Sequence, residues 1–302
     1  GFGMTDAEID TVGTFDWYDY FFRTGIGQNH NIQIRRGGEN LATYLSFGLF
    51  DQEGVLKQSS LKRYSVRANI DGRSGDEKFR YGLNLSVNYS KSEEPNSIGS
   101  GAINRNYLLG AFQSVPYISP DEYVDGESLL DPLFFNNTPL FLVDRLRTFN
   151  RSEDEIKALG SLDLRYQLIE GLEIASRTSM DFENEELIRS EGPTSFNALL
   201  FAEDGNTTPG FAEHDSRQSF TINQVTSIFY NKTLGIKHNF NVGLFTEYFK
   251  ANLYDIGFFS EGLDPKTFYP GDGSGFVPDN SANDYFVDPV EAQIAEFGLF
   301  SY

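Results

Sequence analysis

The stretch Tyr81-Gly-Leu-Asn-Leu-Ser-Val-Asn-Tyr-Ser90 decides the fold class, because large apolar side chains alternate with small or polar ones along all of it. A period of two places the first set on one face of a β-strand and the second set on the other. Its length matches the ~9–11 residues with which a tilted strand crosses a lipid bilayer. The stretch therefore predicts a membrane-spanning strand with one apolar and one polar face.

Other stretches repeat this alternation. Between residues 64 and 71 the polar face carries Ser65, Arg67, Asn69 and Asp71, and between residues 41 and 49 the apolar face carries Leu41, Thr43, Leu45, Phe47 and Leu49. Further alternating stretches lie at 28–35, 162–168, 172–182, 220–230 and 240–248, and the chain ends on part of another. We interpret these as about nine antiparallel strands of an all-β transmembrane barrel.

The composition leaves few other fold classes open. Hydrophobic residues make up 39% of the 302 residues, yet no run approaches the ~18–20 apolar residues of a transmembrane helix. Only helices and closed barrels satisfy the backbone inside lipid. An extracellular all-β binding protein stays open as a distant alternative, which predicts strands of roughly 5–6 residues.

Charge and residue types exclude several functions. The chain has 44 acidic and 24 basic residues, a net charge of -20, which is the opposite of a nucleic-acid-binding surface. It has no Cys, and His30, His214 and His238 are too scattered for a metal motif. No nucleophile-elbow sequence is present. We therefore expect a protein that is not an enzyme, with no catalytic, metal or cofactor site and no nucleic-acid partner.

The connections between the predicted strands alternate in length. Short ones fall near Gly37, Gly72, Glu170 and Gly235, whereas long ones run from about residue 91 to 160, 183 to 217 and 250 to 295. Outer-membrane barrels have short turns at the periplasmic rim and long loops outside. The alternation therefore predicts an outer-membrane barrel with long extracellular loops.

Residues 1–27 differ from the rest and form a separate aromatic-rich loop or helical segment in this interpretation, and residues 28–302 form the partial barrel. Thr5 to Ile9 has the features of a helix start, with Thr5 as N-cap. The aromatic cluster that follows is expected to anchor the segment on the barrel wall or in its lumen. It comprises Phe15, Trp17, Tyr18, Tyr20, Phe21 and Phe22.

A family resemblance rests on short motifs that occur in one order at close spacing. They are Asp16-Trp17, Phe22-Arg-Thr-Gly25, Gln28-Asn-His-Asn31, Gly37-Gly38, Phe50-Asp-Gln-Glu-Gly54 and Lys62-Arg-Tyr-Ser65, with Gly171-Leu172, Tyr230-Asn-Lys-Thr233 and Phe297-Gly298 farther on. The series resembles the early barrel of SusC/RagA-type TonB-dependent transporters of Bacteroidota outer membranes. Leu299 departs from the polar or basic residue that the family usually carries there.

The resemblance implies a barrel of about 22 strands, of which this chain would be the early half, without the plug and the later strands. It also implies a TonB-contacting region in the absent N-terminal part and a SusD/RagB-like surface lipoprotein that closes over the long loops. Such pairs import glycan oligomers or peptides across the outer membrane. An alternative with the same fold is a structural or docking subunit of a larger outer-membrane complex without active transport.

Cargo contacts are expected on the long loops, because aromatic faces stack on sugar rings or hold peptide side chains. For each of these residues, packing of the loop on itself is an equally good interpretation. The candidates are Tyr107, Phe112, Tyr117, Phe134, Phe135, Phe258, Phe259 and Tyr269.

Overall fold

The computed structural model describes residues 13–95, 105–131, 139–200, 209–235, 238–261 and 285–301, with side chains as far as residue 257. Nine strands form one antiparallel sheet in which each strand pairs with its neighbours in the sequence. This up-and-down order is the one that consecutive hairpins produce, and it confirms the predicted fold class, an antiparallel partial barrel.

The strands are β1 (Gly27–Gly37), β2 (Leu41–Glu53), β3 (Ser60–Arg73), β4 (Phe79–Glu93), β5 (Phe149–Ile169), β6 (Leu172–Glu191), β7 (Phe211–Leu234), β8 (His238–Glu261) and β9 (Tyr285–Ser301). The helices are α1 (Trp17–Phe21), α2 (Tyr107–Gln113), α3 (Leu140–Thr148) and α4 (Phe196–Leu200). Two 3₁₀ turns lie at Pro120–Glu122 and Ser128–Leu130. In the described ranges, no helix combines the length and apolar character needed to cross a membrane.

The strand register keeps the two faces separate across the sheet. Leu83 pairs with Ile70 on one side and Leu162 on the other, whereas Asn84 pairs with Asn69 and Ser161. Directly opposed residues in an antiparallel pair point to the same side. One face is therefore apolar from strand to strand, and the other is polar.

Within the described residues, no protein layer covers most of the apolar face. Ile32, Phe47 and Tyr64 are each about half exposed or more. An exposed apolar surface of this extent marks an interaction site. Hydrocarbon is the partner that its bilayer-length alternation fits.

The polar face is held by side-chain hydrogen bonds between neighbouring strands. Asn84 donates to Ser161 over 3.2 Å, and Arg177 pairs with Asp163 at 2.5 Å. Two cavities of about 560 and 610 Å³ lie along this face. We therefore take the polar face as the concave inner wall of the partial barrel.

The alternation of short and long connections is also present, but the strands are longer than the sequence predicted. The long connections span residues 94–148, 192–210 and 262–284, so the predicted limits of 91–160, 183–217 and 250–295 were wrong. Strands β5 and β7 have 21 and 24 residues, about twice the ~9–11 that cross a bilayer. The additional residues extend the strands past the apolar part of the sheet. In residues 150–155 of β5, for example, the side chains on both faces are polar, so the alternation that marks a strand with one apolar face is absent.

Candidate functional site

Several segments meet at the edge of the sheet that carries the long connections. The chain enters β1 at Gly27, which pairs with Gln52 near the end of β2, so residues before β1 lie at this edge too. We call the assembly of residues 13–26, 54–59, 105–131, 139–148 and 192–200 the loop platform. Its parts are far apart in the sequence, and only the sheet brings their ends together.

One buried hydrophobic cluster holds the loop platform together, and it is the main core of the described chain. Its members come from all four helices, from the segment just after α1, from the turn between β2 and β3, and from the part of the β4–β5 connection that follows α2. They are Trp17, Phe21, Phe22, Leu56, Tyr107, Ile118, Leu129, Leu140, Phe141, Leu142, Val143 and Phe196.

The segment before β1 packs into this cluster. Asp16 caps α1 by accepting hydrogen bonds from the backbone N–H groups of Tyr18 and Asp19. The Trp17 indole donates to the Val115 carbonyl over 3.2 Å, and Phe22 forms a β-bridge with Leu56. The aromatic cluster thus anchors on the connections, and the expectation that it packs on the barrel wall or lumen was wrong.

Glycines permit the closest backbone contacts in the platform. A Cβ at Gly126 would lie 2.5 Å from the Phe196 amide nitrogen and 2.7 Å from the Ser195 carbonyl carbon. Both are backbone atoms, which cannot rotate away as a side chain can. The connection between β4 and β5 therefore rests directly on the one between β6 and β7.

A buried polar network joins the same two connections. Arg145 forms an ion pair with Glu191 at 3.1 Å, and the two side chains are 5% and 6% exposed. Asp144 accepts hydrogen bonds from the Tyr123 hydroxyl over 2.7 Å and from the Phe196 amide over 2.8 Å. Buried charges are tolerated only when paired and hydrogen-bonded, so this network fixes one arrangement of the two connections.

Burial is the main cause of the pKa shifts in this network. It raises the pKa of the Asp144 carboxyl, although the hydrogen bonds from Tyr123 and Phe196 act in the opposite direction. Burial and the neighbouring Asp144 together raise the pKa of the Tyr123 hydroxyl. Asp144, Arg145 and Glu191 are buried, so the network is placed to order the platform.

The surface of the platform carries partly or largely exposed aromatic rings. Phe112 is 74% exposed and Tyr18 is 50% exposed, with ring centroids 6.3 Å apart. Tyr117 is 37% exposed. Exposed aromatic groups on an ordered support are suited to stacking on a ligand or a partner.

The structure places the predicted cargo-contact residues in different environments. Phe112 and Tyr117 are on the platform surface, whereas Tyr107 is fully buried, with its ring against Phe21. Phe258 and Phe259 belong to strand β8 rather than to a loop, which corrects their predicted location. Phe134, Phe135 and Tyr269 lie outside the described residues, as does the predicted helix start at residues 5–9.

No group of three or more His, Asp or Glu side chains within the described ranges has a metal-binding arrangement. His30 contacts the Gln28 side chain at 3.3 Å on β1.

The sequence and the fold of this chain are similar to those of several known proteins. No family model matches the chain. The chain is 27% identical over 194 residues to TonB-dependent receptor P26 of Formosa agariphila and 30% identical over 78 residues to TonB-dependent receptor SusC of Bacteroides thetaiotaomicron. The structure of the RagAB peptide transporter matches 96% of the chain with a TM-score of 0.69 and 19% identity. The resemblance to SusC/RagA-type TonB-dependent transporters is confirmed.

The matched regions cover 64% and 26% of this chain but only 18% and 8% of the two receptors, and the fold match covers 31% of the RagAB chain. Together with the nine-stranded sheet, these similarities to TonB-dependent receptors indicate an outer-membrane protein. The named relatives are receptors and a transporter, which is consistent with a protein that is not an enzyme.

Sequence reasoning missed the residues that organise the loop platform. Asp144, Arg145 and Glu191 lie in the stretches 91–160 and 183–217, which the alternation of connection lengths predicts as long loops. A signal was present in the apolar run Leu140-Phe-Leu-Val143, since a short continuous apolar run is typical of a buried segment.

Proposed function

We propose that this chain is the barrel section of a SusC-like transporter that imports glycan oligomers or peptides across the outer membrane. The observation that carries the proposal is the ordered loop platform at one edge of a sheet with an apolar outer face and a polar inner wall. A platform fixed by a hydrophobic core and a buried ion pair provides a constant surface above the interior. The description of RagAB as a peptide transporter supports the same class of activity.

The exposed part of the platform is the proposed docking surface for a SusD/RagB-like lipoprotein, with the long connections on the extracellular side. The match to RagAB and the SusC-named relative support such a partner. Energy would come through TonB acting on a region outside these 302 residues. Transport itself requires the whole protein, of which this chain supplies the wall and the platform.

Aromatic side chains on the platform are the proposed cargo contacts. Phe112 and Tyr117 support this role by their exposure. Tyr107 is placed to support α2 from within the core rather than to touch cargo. Phe134, Phe135, Phe258, Phe259 and Tyr269 stay predictions.

The experiment is uptake of labelled oligosaccharides and peptides by cells that express the full-length protein as wild type or as the F112A/Y117A double variant. We expect the variant to reach the outer membrane in normal amount and to take up cargo more slowly. The control is Phe240→Ala, because Phe240 is 52% exposed on the apolar face near a short connection, far from the platform.

Copurification of a surface lipoprotein with the tagged wild-type protein is expected in the same cells. Normal uptake by the F112A/Y117A variant would contradict the cargo contacts. A lipoprotein that copurifies from cells with no uptake of either cargo class would favour the docking-subunit alternative over import.

A further inference from the structure

Two lysines lie side by side on the apolar face of the sheet, just past the end of its apolar residues. The side chains that β4 places on this face are, in order, Tyr81, Leu83, Leu85, Val87 and Tyr89. The next residue on the same face is Lys91, and on β3 the corresponding series ends at Tyr64 and is followed by Lys62. Lys62 and Lys91 are directly opposite each other, at the edge of the sheet that carries the long connections.

The neighbouring strands are also charged at this level. Asp51 of β2 is opposite Lys62, and Asp154 of β5 is opposite Lys91. The row is thus acidic, basic, basic and acidic across four strands. Like charges that are directly opposite destabilise an antiparallel pair, so the two central lysines call for a physical explanation.

The acidic groups nearby leave the two ammonium groups largely unpaired. Lys62 is exposed and forms no ion pair or side-chain hydrogen bond within the part of the chain that the structure describes. Lys91 is 43% exposed and has one carboxylate partner in the same ranges, Glu93, at 4.0 Å. Asp154 instead accepts a hydrogen bond from the Tyr89 hydroxyl over 2.9 Å. Both lysines can therefore donate to a ligand.

Aromatic rings lie between the lysines and the apolar residues. Tyr64 and Tyr89 are directly opposite each other and stacked, with ring centroids 6.2 Å apart and an angle of 19° between the rings. Val66 and Val87 form the next pair on the same face. Aromatic residues of this kind mark the level at which hydrocarbon meets the lipid headgroups. The lysines thus lie at headgroup level, next to a surface suited to acyl chains.

We propose that Lys62 and Lys91 form a binding site for the phosphate group of an anionic membrane lipid. Both ammonium groups donate hydrogen bonds to phosphate oxygens, which are strong acceptors for charged donors. A phosphate between the two lysines also replaces their mutual repulsion by attraction. The acyl chains of the lipid lie along the stacked rings of Tyr64 and Tyr89 and the valines beyond them.

A lipid fits this position better than a free anion does. Asp51 and Asp154 flank the lysines, and their charges oppose the approach of a small anion from solution. A lipid gains additional free energy from the burial of its acyl chains on the apolar face. The inference goes beyond the transport proposal, because it depends on contact between this face and lipid and not on cargo, lipoprotein or energy source.

The test is native mass spectrometry of the purified full-length protein, freed of lipid in detergent and titrated with dioctanoyl phosphatidic acid. We expect the K62Q/K91Q double variant to bind this lipid ~30-fold more weakly than wild type, the loss that corresponds to two lysines at an anionic lipid surface. The matched control is Lys232→Gln, which should bind as wild type does. Lys232 lies on the same face near a short connection, opposite Phe240 rather than a second lysine.

Inorganic phosphate distinguishes a lipid site from a free-anion site. At a concentration equal to that of the lipid, inorganic phosphate should leave the bound phosphatidic acid in place. Displacement of the lipid under these conditions would overturn its assignment as the ligand. Equal affinity of the K62Q/K91Q variant and wild type for phosphatidic acid would overturn the site itself.

The stability of the lipid-free protein separates the proposed site from two ordinary ion pairs. If the lysines served only to pair with Asp51 and Asp154, K62Q/K91Q would lower the Tm in the absence of lipid. We expect the Tm of the lipid-free variant to equal or exceed that of wild type, because repulsion between opposed lysines is removed. A lower Tm would contradict the proposal. Neither measurement uses the uptake assay, so failure of the lipid site and failure of the transport proposal are separate outcomes.

Discussion

Replacing Glu191 by Gln measures how strongly the buried ion pair orders the loop platform. The variant keeps the shape of the side chain but leaves the Arg145 guanidinium buried without a counter-ion. In the wild type the two groups are 3.1 Å apart and their side chains are 5% and 6% exposed. The amide that replaces the carboxylate can still accept a hydrogen bond but carries no charge, and the contact of Arg145 with the Phe149 ring, 3.9 Å away, does not balance the buried positive charge. Loss of one partner of such a pair costs ~3–5 kcal/mol.

The cost is expected to appear locally, as opening of the platform while the strands stay folded. Hydrogen–deuterium exchange of the full-length protein in detergent measures it directly. At the lower bound, ~3 kcal/mol corresponds to about a hundredfold faster exchange in peptides from residues 105–131 and 139–148. Peptides from β3 and β4 are expected to exchange as in the wild type.

Glu94→Gln is the matched control, because the Arg151–Glu94 pair is 2.7 Å long but its side chains are 33% and 46% exposed. Exposed pairs contribute ~0.2–1 kcal/mol, so exchange in this variant stays close to the wild type. The double variant R145M/E191M removes both charges and should recover most of the protection. Equal exchange in the E191Q and E94Q proteins would refute the role of the buried pair.

Three further outcomes follow from the same structure. Gly126→Ala should destabilise the platform by ~1–3 kcal/mol, because the added methyl group would overlap backbone atoms. Hydrogen–deuterium exchange at residues 192–200 should then be faster. Gly75→Ala is the control and should leave exchange unchanged, because the space around a Cβ at Gly75 is open. The pKa of Asp144 in the folded protein is raised above 3.8, so its contribution to stability is fully present below that value and is lost as pH rises through the folded pKa. The variant Asp144→Asn cannot titrate at this position and should therefore lose less stability as the pH rises. Limited proteolysis from pH 4 to 8 measures the difference. Trp17→Phe removes the hydrogen bond to Val115 and should cost ~1 kcal/mol in the protection of residues 13–26; unchanged protection would count against that bond.

The strands and their faces could be predicted from the sequence because a bilayer imposes a simple pattern. Each strand must alternate between hydrocarbon and a wet interior, and Tyr81 to Ser90 show this without interruption. The register of Leu83 with Ile70 and of Asn84 with Asn69 follows from the same requirement, since a shift by one residue would reverse both faces.

The platform could not be predicted in the same way, because its order comes from contacts between distant segments. The pair of Arg145 and Glu191 joins residues 46 positions apart, and no period in the sequence links them. The ends of β5 and β7 were missed for a related reason. Beyond the membrane both faces of a strand meet water, so its residues resemble those of a loop.

The most direct test of the account is the environment of alternate side chains on β4 in intact outer membranes. The chain has no Cys, so single cysteines at Leu83, Asn84, Leu85 and Ser86 can be placed in the full-length protein on a background free of other cysteines. We predict that a water-soluble maleimide labels the positions of Asn84 and Ser86 after the interior is opened to solvent, while a lipid-soluble probe reaches those of Leu83 and Leu85. Labelling of Leu83 and Leu85 by the water-soluble reagent alone would contradict the central claim that this face meets hydrocarbon.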